Sequence, residues 1–453
     1  MRHLLVIGGD AAGMSAASQA RRLRGPDELA ITVLERGGTT SYAACGIPYW
    51  VAGLVESRAR LVARRAEEFR RKHAIDVHLG TEAVAIDTAA RSVRARDLPT
   101  GTETVHPYDD LLIATGTTPV LPPAPGLDAD GVLPVRTLDD GQAVLDALSD
   151  RAPRRAVVVG GGYIGIEMAE ALRLRGLDVA LVDLAPQPMT TLEPELGDRV
   201  AEALRADGVD LRLGTPLTGV ETGTDGRVRA VSTPDGAIDA DLVVLGTGVR
   251  PGSDLAAAAG VPVGPSGGIV TDPRMRTPVD GVWAAGDCAE TVHRITGGPV
   301  SFALGTVANK QGRVAGLNLG GTPAEFPGVL GTAITKYHDL EIARTGLSLR
   351  EAATAGLDAI ATTAESRTRA NYYPDHAPIA VLLITERGTG RLLGGQIVGG
   401  PGAGKRIDTI AVALWHGMTA SAMVDLDLAY APPFSPVWDP VQTAARIVPE
   451  PEG

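Results

Sequence analysis

Short apolar runs, each broken by a cluster of glycines and followed by an amphipathic stretch, set the rhythm of this chain. Residues 3–8, HLLVIG, have the continuous apolar character of a strand buried on both faces. The run breaks at Gly8-Gly9-Asp10-Ala11-Ala12-Gly13 and resumes as MSAASQARRLR, a helix built of small residues. A second strand is expected over residues 30–34, ending at Glu35. Residues 156–183, AVVVGGGYIGIEMAEALRLRGLDVALVD, repeat the scheme, with a valine strand, a glycine turn, an amphipathic helix and a strand ending on Asp183. LLIATGTTP (111–119) and DLVVLGTGVRP (241–251) read as apolar strands that close one domain and pass the chain to the next, and GVWAAGD (281–287) as one more. The proline-rich stretch 119–125 reads as a linker.

From about residue 326 the pattern changes. GTAITKYHDLEIARTG and PIAVLLITERGTGRLLGGQIVGG read as antiparallel strands joined by glycine turns, and residues 406–415 and 420–426 as helices. Residues 430–440, YAPPFSPVWDP, hold too much proline for a helix or a central strand, so this aromatic loop is expected to serve an oligomer contact or a site. The fold class is therefore α/β: two Rossmann-like dinucleotide-binding domains followed by a C-terminal α+β domain. The expected boundaries are 1–118 with 250–325 for the first, discontinuous domain, 119–249 for the second and 326–453 for the third.

The glycine turns carry the first chemistry. In G-x-G-x-x-G the glycines allow a tight turn, close approach of a pyrophosphate and close helix–strand packing. The second unit has all three, as Gly160, Gly162 and Gly165; the first keeps Gly8 and Gly13 but places Asp10 where the middle glycine belongs. A carboxylate there would repel a pyrophosphate unless it points away. Glu35 stands 22 residues beyond Gly13 and Asp183 stands 18 beyond Gly165, both spaced to bind ribose hydroxyls. Asp183 opposes a 2′-phosphate, and residues 184–187 (LAPQ) offer no arginine to reverse that, so NADH is favoured over NADPH. Two such units imply two dinucleotides.

Composition narrows the class. At 44% hydrophobic and 21% charged, the 453 residues suit a soluble globular chain of two or three domains. Abundant Gly and Ala with only 4% aromatics point to helices packed through small side chains. A net charge of −12 argues against nucleic acid and anionic membranes as partners. No apolar run approaches a membrane span, and the chain enters a strand at once, without a signal peptide. Two distant cysteines make no secreted disulfide framework, so a reducing cytoplasm is expected.

One of those cysteines, Cys45, lies in residues 40–50, TSYAACGIPYW. Gly46 and Pro48 predict a tight loop running into a helix, where the helix dipole favours thiolate over the ordinary value of about 8.5. A small buried hydrophobe is the competing reading of a lone cysteine, and it is the preferred one for Cys288.

Taken together, GG-x-AAGMSAASQARR, S-x-x-x-C-G-x-PY, GGGYIG-x-E, GD, ANKQGR, NYYP and YAPPFSP span the whole chain. They resemble the single-cysteine flavoproteins of the pyridine nucleotide-disulphide oxidoreductase family, and most of all its coenzyme A disulphide reductases. The resemblance implies FAD on the first unit, contacted by Gly8, Gly13, Glu35, Thr115 and Asp287, NAD(P)H on the second, and a homodimer formed by the third domain. It implies electron transfer from NADH through the flavin to Cys45, which alternates between thiolate and a mixed disulfide or sulfenic acid. It assigns Tyr372 and Tyr430, from the partner subunit, to protonating or stabilising the departing thiolate. Coenzyme A contacts fall on Gln19 and Arg22, with Ser41 beside the thiol. Arg71, in the cluster 70–72, is expected to meet nucleotide phosphates or to be a solvated helix face. No metal is called for. NADH oxidases and persulphide reductases share most of these motifs and remain alternatives. The peroxidases' histidine is replaced here by Ala11, and the asparagine common before the cysteine by Ala44.

Overall fold

The computed structural model describes residues 1–449, so the expected end of the third domain at 453 lies outside the described residues. The chain forms two compact units: Met1–Ile47, Glu56–Val120 and Val249–Val329 in the first, and Pro48–Val55, Leu121–Gly248 and Leu330–Gly453 in the second.

The first unit is built on five parallel strands in the order Val282–Ala284, Asp110–Ile113, Arg2–Ile7, Leu29–Glu35 and Asp76–Leu79. Arg2–Ile7 lies at the centre, which is why its apolar run shows no alternation: Leu4, Leu5 and Val6 are all fully buried. An antiparallel sheet of Thr81–Asp87, Ser92–Asp97 and Glu103–Pro107 accompanies it. Thr117–Pro119 pairs antiparallel with Val249–Pro251. The helix Ala11–Leu23 begins at the glycine turn and packs against Gly305–Leu319. A Cβ on Gly312 would collide with the Ala12 carbonyl, and one on Gly316 with the Ala16 carbonyl. Small residues thus bring the two backbones into direct contact, as the composition predicts.

The second unit holds two main sheets. Five parallel strands run in the order Asp210–Arg212, Asp178–Val182, Arg155–Val159, Leu242–Leu245 and Val132–Pro134. Five antiparallel strands run in the order Ala333–Tyr337, Leu340–Gly346, Leu392–Gly399, Pro378–Glu386 and Ala359–Arg367. The first hairpin of that sheet corrects the sequence reading, which expected glycine turns: it reverses at His338-Asp339, with His338 at φ +51°. Histidine is among the residues that enter this left-handed region more readily, and the His338 ring is held by the Asp207 carboxylate at 3.2 Å. Among the described residues no helix is long and apolar enough to cross a membrane.

The contact between Ala11–Leu23 and Gly305–Leu319 leaves no volume to fill. Gly312→Val is expected to cost about 3 kcal/mol or more, since the clash is with backbone, which cannot swing aside as a side chain can. Urea unfolding of the variant beside the parent protein checks this.

Candidate active site

The two glycine turns superpose in their chemistry. Gly8 (φ +103°) and Gly160 (φ +102°) take conformations that L side chains rarely adopt, and a Cβ on either would strike the carbonyl of Ala114 or Gly246 on the neighbouring strand. A Cβ on Gly13 would overlap the Gly8 carbonyl oxygen, and one on Gly165 the Gly160 carbonyl oxygen. Helix and strand therefore approach as closely in one turn as in the other. The acids answer each other as well. Glu35 accepts from the N–H groups of Gly9 and Gly37 at 2.6 Å each, and Asp183 from those of Gly161 (2.5 Å) and Ala185 (2.8 Å). Both stand at the C-terminal end of the second strand, beside the turn. Around Gly162 there is open space, room for a pyrophosphate to reach the backbone.

At the matching position of the first turn Asp10 points elsewhere. It is the residue preceding the helix Ala11–Leu23, yet its side chain makes no capping bond to that helix. Its Oδ1 instead accepts from the Tyr42 N–H at 3.1 Å. Two further bonds join the same segments: Ser41 N–H donates to the Gly9 carbonyl at 3.1 Å, and the Thr40 hydroxyl donates to that carbonyl too. Ser41 itself sits at φ +53°, strained for a residue with a Cβ. Burial pushes the Asp10 carboxyl up to about 6, and the nearby carboxylates of Glu35 and Asp287 add to the effect against the opposing pull of the Tyr42 N–H.

This loop leads directly to Cys45. The cysteine lies in a short turn, Ala44–Gly46, which continues into the helix Ile47–Ala52 with Pro48 in its first turn. Cys45 is an exposed thiol and Cys288 a buried one. Burial raises the pKa of Cys288, and its sulfur lies 3.5 Å from the carbonyls of Ile113 and Ala285, so it is the structural thiol.

Gln19, Arg22 and Ser41 line one cleft of about 420 Å³, together with Asp10, Arg64 and Arg313. Ser15 also borders it, and its hydroxyl donates to Asn309 Oδ1 at 2.8 Å. Arg71 is exposed and does not border this cleft; its neighbours Arg70 and Lys72 are engaged by Asp76 and Glu68. Arg64, Asn309 and Arg313 were not singled out from sequence. The signal was there for two of them: Asn309 and Arg313 are four apart in ANKQGR, on the one face of a helix that also carries Gly312 and Gly316.

In the second unit the structure brings Tyr372 and Tyr430 together, 58 residues apart in sequence, with hydroxyl oxygens 3.5 Å from each other. The hydrogen bond to Tyr372 raises the Tyr430 pKa, so Tyr430 keeps its proton. Arg406 holds their loops: it donates to the carbonyls of Thr368 (2.9 Å) and Phe434 (2.7 Å) and pairs with Asp439 at 3.0 Å. Tyr372, Tyr430, Phe434, Val437 and Trp438 are all exposed.

The first turn fits FAD. Gln311 is 1% exposed; its Oε1 accepts from Gly286 N–H at 2.8 Å, while its buried Nε2 finds no acceptor among the described residues. A buried donor beside Gly286-Asp287, next to a glycine cradle, is what a polar cofactor would satisfy. Thr115 stands at the sheet edge of this turn, but its hydroxyl donates to the Gly252 carbonyl at 2.6 Å.

The Asp10 carboxyl carries a pH signature. Its folded value lies above the ordinary 3.8, so the ionised form costs stability; the cost is absent below about pH 4 and complete above about 6. Asp10→Asn is expected to gain about 1–3 kcal/mol on the parent protein between pH 4 and pH 8. Urea midpoints of both proteins across that range check the sign.

Comparison with known proteins agrees with this geometry. Residues 2–312 match the pyridine nucleotide-disulphide oxidoreductase model and residues 332–440 the dimerisation domain of the same family. A coenzyme A polysulfide/persulfide reductase of Pyrococcus horikoshii, which uses NAD(P)H, is 40% identical over 99% of this chain and 98% of its own. An NADH oxidase of Methanocaldococcus jannaschii is 35% identical over 98% and 97%. The solved structure of a NAD-dependent persulfide reductase from A. fulgidus superposes with a TM-score of 0.93 at 38% identity, covering 98% of this chain and 82% of that one. Two dinucleotide turns, an exposed thiol after the first and a dimerisation domain behind the second are thus the parts of one known architecture: the chain belongs to the pyridine nucleotide-disulphide oxidoreductase family and is an NAD(P)H-dependent flavoprotein oxidoreductase.

Proposed function

We propose that this enzyme works as a homodimer that uses NADH to reduce the sulfur–sulfur bond of a small coenzyme A-type substrate, a persulfide or a disulfide, through Cys45. The observation that carries the reading is the single exposed thiol at the end of a loop whose first residues border a cleft with three guanidinium groups, Arg22, Arg64 and Arg313. Such groups suit the phosphates of a nucleotide-bearing thiol. The relative from Pyrococcus horikoshii, named for coenzyme A persulfide, favours the persulfide; the resemblance to coenzyme A disulphide reductases favours the disulfide. Both need the same groups.

Bound FAD would supply two-electron transfer between nicotinamide and sulfur, with Gly8, Gly13, Glu35 and Asp287 as the residues that hold it. Cys45 attacks as thiolate. From a disulfide R–S–S–R it forms Cys45–S–S–R and expels one thiolate, which leaves as R–SH; from a persulfide R–S–SH it takes the outer sulfur as Cys45–S–SH and expels R–SH. Two electrons from NADH then return Cys45 to thiolate and release R–SH or hydrogen sulfide. The net reaction consumes NADH and one proton, and yields NAD⁺ with two R–SH, or with R–SH and hydrogen sulfide. The proton needs a donor near the leaving sulfur. Tyr430, which keeps its proton and is steadied by Tyr372, suits that task from the partner subunit. The exposed apolar side chains Phe434, Val437 and Trp438 of the same loop give a second copy something to cover.

Cys45→Ser is expected to abolish NADH-dependent turnover of coenzyme A disulfide and persulfide alike, while NADH still bleaches the flavin in a single turnover. Retained turnover would overturn the assignment. Tyr430→Phe should slow turnover by about 10²–10⁴-fold with flavin bleaching unchanged. Running oxygen, coenzyme A disulfide and coenzyme A persulfide side by side ranks the acceptors.

The preference for NADH rests on Asp183 with Leu184, 72% exposed, beside it instead of a cation. Asp183→Ala is expected to raise KM for NADH and narrow the gap to NADPH. Equal kcat/KM for the two nucleotides in the parent enzyme would refute the preference.

A further inference from the structure

We propose that Asp10 is a positioning residue for Cys45: its carboxylate hangs the start of the cysteine loop from the first glycine turn through the Tyr42 N–H. Three observations carry this. First, Asp10 occupies the position of the middle glycine, where a side chain is a liability to a pyrophosphate, so its presence asks for a compensating role. Second, it precedes the 13-residue helix Ala11–Leu23, where aspartate ordinarily caps the helix by accepting from its second or third N–H group, and it makes no such capping bond. The acceptor is turned to Tyr42 instead, at 3.1 Å. Third, the segment it holds needs holding. Ser41 is strained at φ +53°, and residues 40–42 meet the turn through Thr40 to the Gly9 carbonyl, Ser41 N–H to the same carbonyl and Tyr42 N–H to Asp10. On its other side the loop is bonded to the segment 61–63, by Ala43 N–H to the Leu61 carbonyl and Ala63 N–H to the Ser41 carbonyl.

Of the three bonds to the turn, the one from Tyr42 lies nearest Cys45 in sequence and is the one accepted by a side chain of the turn. It is also the one that protons can weaken. The charges around Asp10 come from every side of the cleft: Glu35 at the end of the second strand, Asp287 after Val282–Ala284, Arg22 on its own helix, Arg64, and Arg313 on Gly305–Leu319. Ionised, Asp10 accepts a charge-assisted bond from Tyr42; protonated, it accepts a weaker one, and the loop is released by that difference. The thiol is then less well placed for attack although nothing in the flavin turn has changed. The proposal takes Cys45 as the reacting thiol, as argued above, but the tie between Asp10 and Tyr42 can be measured without any substrate.

The test uses the FAD-loaded enzyme with Asp10→Gly, which restores the middle glycine, and Asp10→Asn, which keeps an acceptor without charge. Amide hydrogen exchange of residues 41–46 is read together with the rate of Cys45 alkylation by iodoacetamide, single-turnover flavin bleaching by NADH, and disulfide turnover. Asp10→Gly is expected to lower the Tyr42 protection factor about tenfold, the size of one hydrogen bond to a charged group, and to lower kcat with flavin bleaching unchanged. Asp10→Asn, a neutral acceptor like the protonated acid, should recover only part of the protection, to the level the parent enzyme reaches at low pH. In the parent enzyme, protection should fall as the pH drops through about 6, and in Asp10→Asn it should not. Unchanged protection in Asp10→Gly, or Asp10→Asn failing as fully as glycine, would overturn the proposal. Failure of the Cys45 assignment alone would leave these protection factors as expected, so the two ideas fall separately.

Discussion

Everything in this molecule rests on two places where a side chain is forbidden. At Gly13 and at Gly165 the backbone of a helix lies against the carbonyl that ends the preceding strand, at a separation that a methyl group would close. That contact sets the start of each helix, and with it the direction in which the first N–H groups point and the gap that a pyrophosphate must fill. The acids Glu35 and Asp183 are placed by the neighbouring strand in register with the same turns. Geometry repeats twice in one chain because the constraint does. What distinguishes the two copies is what has been added around them.

In the second copy little has been added: Gly162 faces open space, and the acid beside it has no cation as a neighbour in the residues that follow. The first copy is crowded. Three carboxylates (Asp10, Glu35 and Asp287) converge on it, a buried amide waits for an acceptor, and the loop that ends in Cys45 is tied to the Gly9 carbonyl and the Asp10 carboxylate. One turn thus presents a candidate cofactor cradle on one side and ties down the loop of the proposed nucleophile on the other. The proposed redox chemistry at sulfur needs the two to be fixed with respect to each other, and building both from the same few residues would achieve this with little extra structure.

How far the sequence could be read follows from the range of the interactions involved. The strands and helices of both dinucleotide units were legible because glycine spacing, apolar runs and terminal acids are local. The direction of Asp10 was not: residue 10 finds residue 42 only after the first two strands have paired. The cleft assembled from Gln19, Ser41, Arg64 and Arg313 draws on segments almost 300 residues apart, and of its cations only Arg22 stood in a motif whose family role was stated. The tyrosine pair was named from its motifs, but that the two hydroxyls meet is a fact of tertiary structure. The turn at His338-Asp339 was misread for a different reason. Glycine is the common solution to a left-handed turn, and a histidine anchored by Asp207 is a rarer one that no local signal announces.

Ser41 shows where this economy leaves its mark. A chain selected for stability alone would carry glycine there, since glycine enters the left-handed region without strain and any other residue gives up about 1 kcal/mol or more. Glycine would also widen the range of shapes open to the unfolded and the folded loop alike. Serine narrows both. The segment ahead of Cys45 is therefore a stretch in which the protein has exchanged some of its resistance to unfolding for a smaller repertoire of shapes. Substitutions chosen there for heat tolerance are the ones most apt to change how Cys45 is presented while leaving the glycine turn itself intact.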